Sequence, residues 1–363
     1  MNADQRRYRG RSSPALTHRK VRWRVIVRLG LAVIPIAAGA CGRGWFREPS
    51  NVEERPRLVW PAPPDRARIE LVSIFASAAD LGITRSVWAR VASLVTGGGE
   101  TRMVRPAGVA AAAGIIAVAD PGARLVHVFD LNRRRARALD ACGAVRLGEP
   151  VAVALLGQHL YVSDATAARI QVFDLDGECT GGWTLGSGSR PAGLAADAQR
   201  MRLYVADVGA HQVLGFVPQG HAVLRFGSRG SGPGRFNYPT WLALDASGNL
   251  YVTDALNFRV QVFDPDGRSL GGFGRQGDGS GELARPKGIG VDREGHLYLV
   301  DALFDAVQLF DREGRYLMVF GGRGHAAGQF WLPSGLVIDG DRIYVADSYN
   351  RRIQVFRFLG GDS

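Results

Sequence analysis

The stretch VTDALNFRVQVFDPDG (Val252–Gly267) decides the fold, because the chain repeats it. VSDATAARIQVFDLDG stands at Val162–Gly177 and VADSYNRRIQVF at Val345–Phe356. With the aspartate as anchor, copies fall at Asp120, Asp164, Asp207, Asp254, Asp301 and Asp347, spaced by 44, 43, 47, 47 and 46 residues. Nine residues after each aspartate comes a phenylalanine: Phe129, Phe173, Phe216, Phe263, Phe310 and Phe356. Three before it stands a tyrosine in all copies but the first, where Ala117 takes its place, and 14 to 16 before it a proline, from Pro106 to Pro333. A fixed period of this length marks an array of like units, each too small to bury its own apolar face.

Within one copy, GIGVD, LYLVD, AVQLF and RYLMVFG are short β-branched and aromatic runs bounded by Gly, Asp and Pro, the signature of strands. Turns such as DPDG and DREG separate them, the proline presetting φ and the glycine closing the turn. Four strands per unit of about 45 residues predict a propeller blade. The P-x-G, LYVTD and N-x-R-V-Q-V-F-D segments resemble the NHL repeat family. The resemblance covers the chain from about Ile69 onward and implies an all-β, six-bladed propeller. It says little about activity, since one fold hosts many functions. The arginine five residues after the aspartate is present as Arg169, Arg259 and Arg352; Gln212 and Ala306 replace it in the third and fifth copies, and Arg124 comes one place early in the first.

The sixth copy ends too soon for an outer strand. ARIELVSIF, from Ala67, has the pattern of such a strand, so Ile69–Phe75 is expected to complete the last blade and remove an open sheet edge. TRSVWARVASLV (Thr84–Val95) places apolar residues at helical spacing and predicts one short helix, with Trp88 on its apolar face.

The formal charge of +11 over 363 residues suggests a nucleic-acid binder until it is located. Met1–Ala40 holds nine Lys/Arg and one acid, or +8; from Cys41 on there are 36 bases and 33 acids, or +3. The basicity belongs to the leader, and the global charge gives no argument for a nucleic-acid partner. That leader is basic to Arg28, then apolar through LGLAVIPIAAGA, then reaches Cys41, the layout of an export signal. AAGAC resembles a bacterial lipobox with Ala38 in place of the usual leucine; Ala38-Gly39-Ala40 is equally a site for ordinary signal peptidase. The expectation is a signal peptide over 1–40, an acylated Cys41 and a membrane-anchored lipoprotein; a soluble exported protein is the alternative. Gly42 after the cysteine points to the periplasmic side of the outer membrane by resemblance to lipoprotein sorting. Residues 41–66, polar and dotted with proline, read as an extended tether, and 67–363 as the propeller of a monomer.

Cys142 and Cys179 remain. Counting along the blades puts Cys142 near the end of blade one's outer strand and Cys179 near the start of blade two's, about 20 Å apart at ~3.3 Å per residue. A disulfide needs Cα atoms within about 7 Å, so two free thiols are expected.

No motif for catalysis stands out, and no cofactor is expected. The seven histidines show no pair at metal-ligand spacing. Asp120, Asp164, Asp207, Asp254, Asp301 and Asp347 are expected to cap the turn after the second strand and to pair with the arginine five residues on. Asp197, Asp245, Asp292 and Asp339 read as turn residues, with calcium as a second possibility; calcium or zinc elsewhere also stays open. The loops entering each inner strand and the turns between second and third strands share one face of a propeller. There the sequence places Arg105, Arg190, Arg285 and Lys287 beside the prolines, and Arg229, Arg235, Arg275, Arg323, Phe236, Tyr238, Phe330 and Trp331 in the longer loops. Phe258, Phe304 and Tyr349 come from the turns. Interleaved basic and aromatic residues suit an envelope protein, a glycan or another anionic ligand, or else Phe236 and Phe330 fill the space between blades. The expectation is a non-catalytic binding scaffold on the bacterial cell envelope. The alternative is a metal-assisted lyase or lactonase of the propeller type.

Overall fold

The computed structural model describes residues 57–83 and 101–360. The signal peptide expected over residues 1–40, Cys41 and the helix expected over Thr84–Val95 lie outside the described residues. Six antiparallel sheets form a ring of blades. Blade one has the strands Gly108–Ala112, Ile115–Asp120, Leu125–Asp130 and Arg135–Leu139, hydrogen-bonded in chain order from the axis outward. Blades two to five repeat this with inner strands Pro150–Leu156, Pro191–Asp197, Pro239–Leu244 and Pro286–Val291. The inner strand of blade six, Leu336–Asp339, packs against those of blades five and one, which closes the circle.

Blade six is completed as expected. Ile69–Phe75 pairs antiparallel with the last strand, Arg352–Phe358, with Ile69 opposite Phe358 and Phe75 opposite Ile353. A fifth strand lies outside it: Val59–Trp60 pairs with Glu70 and Ile69. The described part of the expected tether is therefore strand where it meets the ring. Trp60 packs on Phe320 and Phe356, at ring-centroid distances of 6.2 and 5.7 Å.

The repeated aromatics form the core between blades. Phe129, Phe173, Phe263, Phe310 and Phe356 are buried, as are Tyr161, Tyr204, Tyr298 and Tyr344. Phe263 touches Phe226 and Phe236 at 4.7 and 5.5 Å, and Phe310 touches Phe273 at 5.0 Å. Phe236 and Phe330, candidates for the binding face, are wholly buried in this layer. Burial of such large apolar rings outweighs any gain from presenting them to solvent.

The glycine of the P-x-G motif has a steric cause at the axis. A Cβ on Gly288 would stand 2.5 Å from the Ser334 carbonyl oxygen, and one on Gly108 2.6 Å from that of Val151. Glycine lets neighbouring inner strands approach closely enough to bond: the Gly288 amide donates to Ser334 O at 2.9 Å and the Gly335 amide to Ala107 O at 2.7 Å.

One expectation is overturned. Cys142 and Cys179 form a disulfide with Cα atoms 4.9 Å apart. Blade one's outer strand ends at Leu139, and the chain then makes a separate hairpin, Ala141–Cys142 with Val145–Arg146. That hairpin lies against blade two's outer strand, Cys179–Thr184. Counting along the strand failed because the cysteine is carried across on its own hairpin.

Candidate functional site

The mouth of the channel is built by the repeated aspartates, although none of them faces it. All six are fully buried. Each carboxylate accepts from the backbone of the loop that enters its own blade. Asp120 accepts from Val104 N and Arg105 N at 2.7 and 2.9 Å, Asp164 from Gly148 N and Glu149 N at 2.7 and 3.0 Å, and Asp207 from Arg190 N at 2.8 Å. Asp301 accepts from Ala284 N and Arg285 N at 2.8 and 3.0 Å, while Asp254 and Asp347 hold Asn237 N and Trp331 N. A carboxylate bonded to amides in a dry interior is a strong, directional anchor. In four copies it fixes the residue just before the proline, and these four, Arg105, Glu149, Arg190 and Arg285, line the mouth; in the fourth and sixth copies it holds the residue one place earlier. The expected capping of the following turn is also present, as in Ala123 N to Asp120 and Ala167 N to Asp164.

The expected arginine pairing holds in two copies. Arg259 Nε donates to Asp254 at 2.9 Å and Arg352 Nε to Asp347 at 2.7 Å; both guanidiniums also reach two carbonyls of the entering loop. In the second copy it fails: Arg169 Nε is buried without a partner. The long entering loops that Arg259 and Arg352 hold are absent there; the disulfide-linked hairpin takes that place. Sequence reasoning also passed over a glutamine seven residues after the aspartate. Gln261 and Gln354 donate to both the aspartate and a loop carbonyl, and their Oε1 atoms accept from Gly234 N and Gly328 N. Its recurrence as Gln171, Gln261, Gln308 and Gln354 was the available signal.

The mouth cavity has a volume of about 450 Å³ and is lined by Arg105, Arg190, Arg285, Lys287, Glu149 and Tyr349, with Trp241 at its base. Four cations thus share a cavity with one carboxylate. Glu149 is engaged by Arg190, at 3.2 Å, and by Thr166 Oγ1, at 3.2 Å. Among the described residues Lys287 has no ion-pair or hydrogen-bond partner for its amine. Burial, then Arg285 and Arg105 beside it, push its pKa down to about 8.

Trp241 stands where most copies have the glycine of P-x-G. Its indole reaches across the axis to Gly335 and also lines a second cavity of about 250 Å³, whose walls are apolar residues of the inner strands. The tryptophan separates the cationic mouth from an apolar channel. The break in P-x-G at Pro239-Thr240-Trp241 was a legible signal that sequence reasoning did not use.

Other candidates fall elsewhere. Arg235 and Arg323 are exposed on the outer parts of their loops and do not line the cavity; Arg323 lies 4.0 Å from Asp305. Phe258 is half-buried against the main core cluster, and Phe304 is also half-buried. Of the turn aromatics only Tyr349 lines the mouth. It packs on Trp331 at 5.4 Å, and Trp331 on His325 at 5.0 Å. With Tyr238, Leu256 and Leu303, these two aromatics give blades four to six exposed apolar side chains, Leu303 being 61% exposed. The turns of blades one to three carry Gly122, Thr166 and Gly209 at the position of Leu256 and Leu303.

At the opposite end, Asp197, Asp245, Asp292 and Asp339 line a cavity of about 390 Å³. The first three accept hydrogen bonds from their own turns. Asp292, Glu294 and His296 bring ligand-type atoms within 4.8 Å of one another. Asp292 is already bonded by Glu294 N, His296 N, the His296 ring and Tyr298 OH.

Comparison with known proteins agrees with this architecture. The NHL repeat profile matches residues 236–263 and 330–356, the two copies in which aspartate, asparagine, arginine and glutamine are all present. No curated protein matches by sequence. Among solved structures, a protein of unknown function from Bacteroides thetaiotaomicron is similar at 19% identity and a TM-score of 0.58, over 80% of this chain and 75% of that one. An auxiliary nutrient binding protein from the same organism has 14% identity and a TM-score of 0.55, over 71% and 70%. A catalytically inactive virginiamycin B lyase from Staphylococcus aureus, with quinupristin, has 14% identity and a TM-score of 0.52, over 70% and 95%. At these identities the likeness is one of fold.

Proposed function

We propose that this six-bladed propeller of NHL repeats is a non-catalytic binding platform of the bacterial cell envelope, taking an anionic partner at the mouth built by Arg105, Arg190, Arg285 and Lys287. The observation that carries this is the convergence of four cations on one cavity with a single carboxylate. Like charges held together at a partly buried mouth work against folding. A chain that retains them has a use for the field, which an anion would neutralise. The exposed apolar side chains of blades four to six, Tyr349 and Trp331 among them, give the same face anchors for a macromolecular partner.

Export is supported by the leader and by the Cys142–Cys179 bridge, since such bonds persist in oxidising compartments. The anchor is proposed to be the acylated Cys41. The alternative of a metal-assisted lyase or lactonase finds less support. No histidine lines the mouth cavity, and the one trio of metal-ligating type among the described residues lies away from it.

The test is capture from envelope extracts on immobilised protein, compared with Arg285→Glu and Lys287→Glu, and with Arg357→Glu on the outer rim as control. The reading expects a partner retained by the native chain and the control and lost by both mouth variants. A partner held equally by all four, or stoichiometric zinc in purified protein together with turnover, would overturn it.

A further inference from the structure

Lysine fills only two of the chain's 45 basic positions, Lys20 in the leader and Lys287. Every other basic residue of the propeller is an arginine. At this one position of the mouth the chain uses an amine instead. The difference is chemical: a guanidinium stays protonated in proteins, whereas an amine can shed its proton and attack a carbon centre. The backbone that carries this amine is fixed, with Thr253 Oγ1 donating to the Lys287 carbonyl at 2.9 Å and the Gly288 amide bonded to Ser334 O. At the corresponding position the other copies have Ala107, Val151, Ala192, Thr240 and Ser334, so the repeat itself does not call for a long side chain.

We propose that Lys287 forms an imine with a small anionic carbonyl compound, a 2-oxo acid or an aldehyde bearing a carboxylate, held in the mouth cavity. The inference rests on the anion-binding reading of this mouth. The neutral amine adds to the carbonyl carbon. The resulting carbinolamine loses its oxygen as water, with two protons that came from nitrogen, and a C=N bond remains. No oxidant or reductant is consumed. Arg285, Arg105 and Arg190 supply the counter-charge for the carboxylate. Burial, with Arg285 and Arg105 beside it, also keeps the amine partly neutral: with a pKa of about 8, roughly one amine in ten is unprotonated at pH 7, against fewer than about one in a thousand for an ordinary lysine. The cavity, of about 450 Å³, has room for such a ligand, and Trp241 is among its lining residues.

The experiment treats the full-length chain, purified with its leader uncleaved so that Lys20 is retained as the reference amine, with glyoxylate and sodium cyanoborohydride at pH 7.5 and maps the reduced adducts by peptide mass spectrometry. Glycolaldehyde, neutral and of similar size, is run in parallel. Lys287 is expected to react at least tenfold faster than Lys20 with glyoxylate, and to lose most of that advantage with glycolaldehyde. In Arg105→Glu/Arg285→Glu protein the glyoxylate rate at Lys287 should fall at least fivefold. Binding of oxalate, an anion without a reactive carbonyl, is measured by calorimetry on the native chain and the same double variant. Oxalate bound by the native chain alone, with Lys287 no faster than Lys20, would sink the imine and leave the anion site standing. No oxalate binding and no selective adduct would remove both. Equal rates with the two aldehydes would overturn the anionic class of ligand.

Discussion

Ile69 lies opposite Phe358 across the antiparallel pair that joins the two ends of the propeller. Ile69 is fully buried among Tyr298, Phe320 and Phe356. Ile69→Ala is expected to cost about 2–4 kcal/mol, as deletion of a buried branched side chain does. Because the strand seals the last blade, the loss should appear in hydrogen exchange of Arg352–Phe358 as well as in equilibrium unfolding. Unchanged protection of that strand would refute the seal.

Arg259 and Arg169 occupy the same place in their copies but differ in bonding. Arg259 bridges Asp254 to two loop carbonyls, whereas Arg169 Nε has no acceptor. Arg259→Ala should cost about 2–4 kcal/mol, because it leaves a buried carboxylate short of its cation. Arg169→Ala should cost less than about 1 kcal/mol. Denaturant midpoints of the two variants decide; similar losses would show that the pairing is not what matters.

The Cys142–Cys179 bridge spans 37 residues of chain. Closing a loop of that length contributes about 4 kcal/mol in the chain-entropy model. Reduction, or Cys142→Ser with Cys179→Ser, should lower the urea midpoint and raise hydrogen exchange in Cys179–Thr184, where the hairpin covers an edge strand. Identical midpoints with and without reductant would contradict the bond's stabilising role.

Lys287 links charge to stability. Its pKa falls from the ordinary 10.5 to about 8 in the folded chain. Below about pH 8 it is protonated folded and unfolded, and the penalty of holding the charge is complete. Between about 8 and 10.5 the unfolded chain binds more protons, so this group's contribution to stability rises with pH until the penalty is gone. Lys287→Met should therefore be more stable than the native chain by about 1–3 kcal/mol at pH 7, with the gap closing towards pH 10.5. A variant less stable than the native chain at pH 7 would show that the amine has a structural partner.

The period, the number of blades and the closing strand were legible in the sequence because they depend on local alternation and on counting. Asp120 to Asp347, Phe129 to Phe356 and the run Ile69–Phe75 each repeat at fixed offsets, and a repeated unit must bury the same face each time. The candidates Arg105, Arg190, Arg285 and Lys287 were likewise placed by offset from the prolines, and the structure brings them into one cavity. Phe236 and Phe330 were ambiguous because an aromatic in a loop has the same one-dimensional signature whether it faces solvent or fills the space between sheets.

Three features belong to the tertiary structure alone. The hairpin that carries Cys142 to Cys179 breaks the strand count, and no local pattern announces a segment that crosses to a neighbouring sheet. The side chain of Trp241 reaches across the axis to Gly335, a residue nearly a hundred positions away. The four cations become one site only when the ring closes. Sequence determines which face of each strand is apolar, since that is a property of neighbours along the chain. Which polar residues share a cavity is set by the closure of the ring, because the electrostatic energy that makes them a site depends on distances through space.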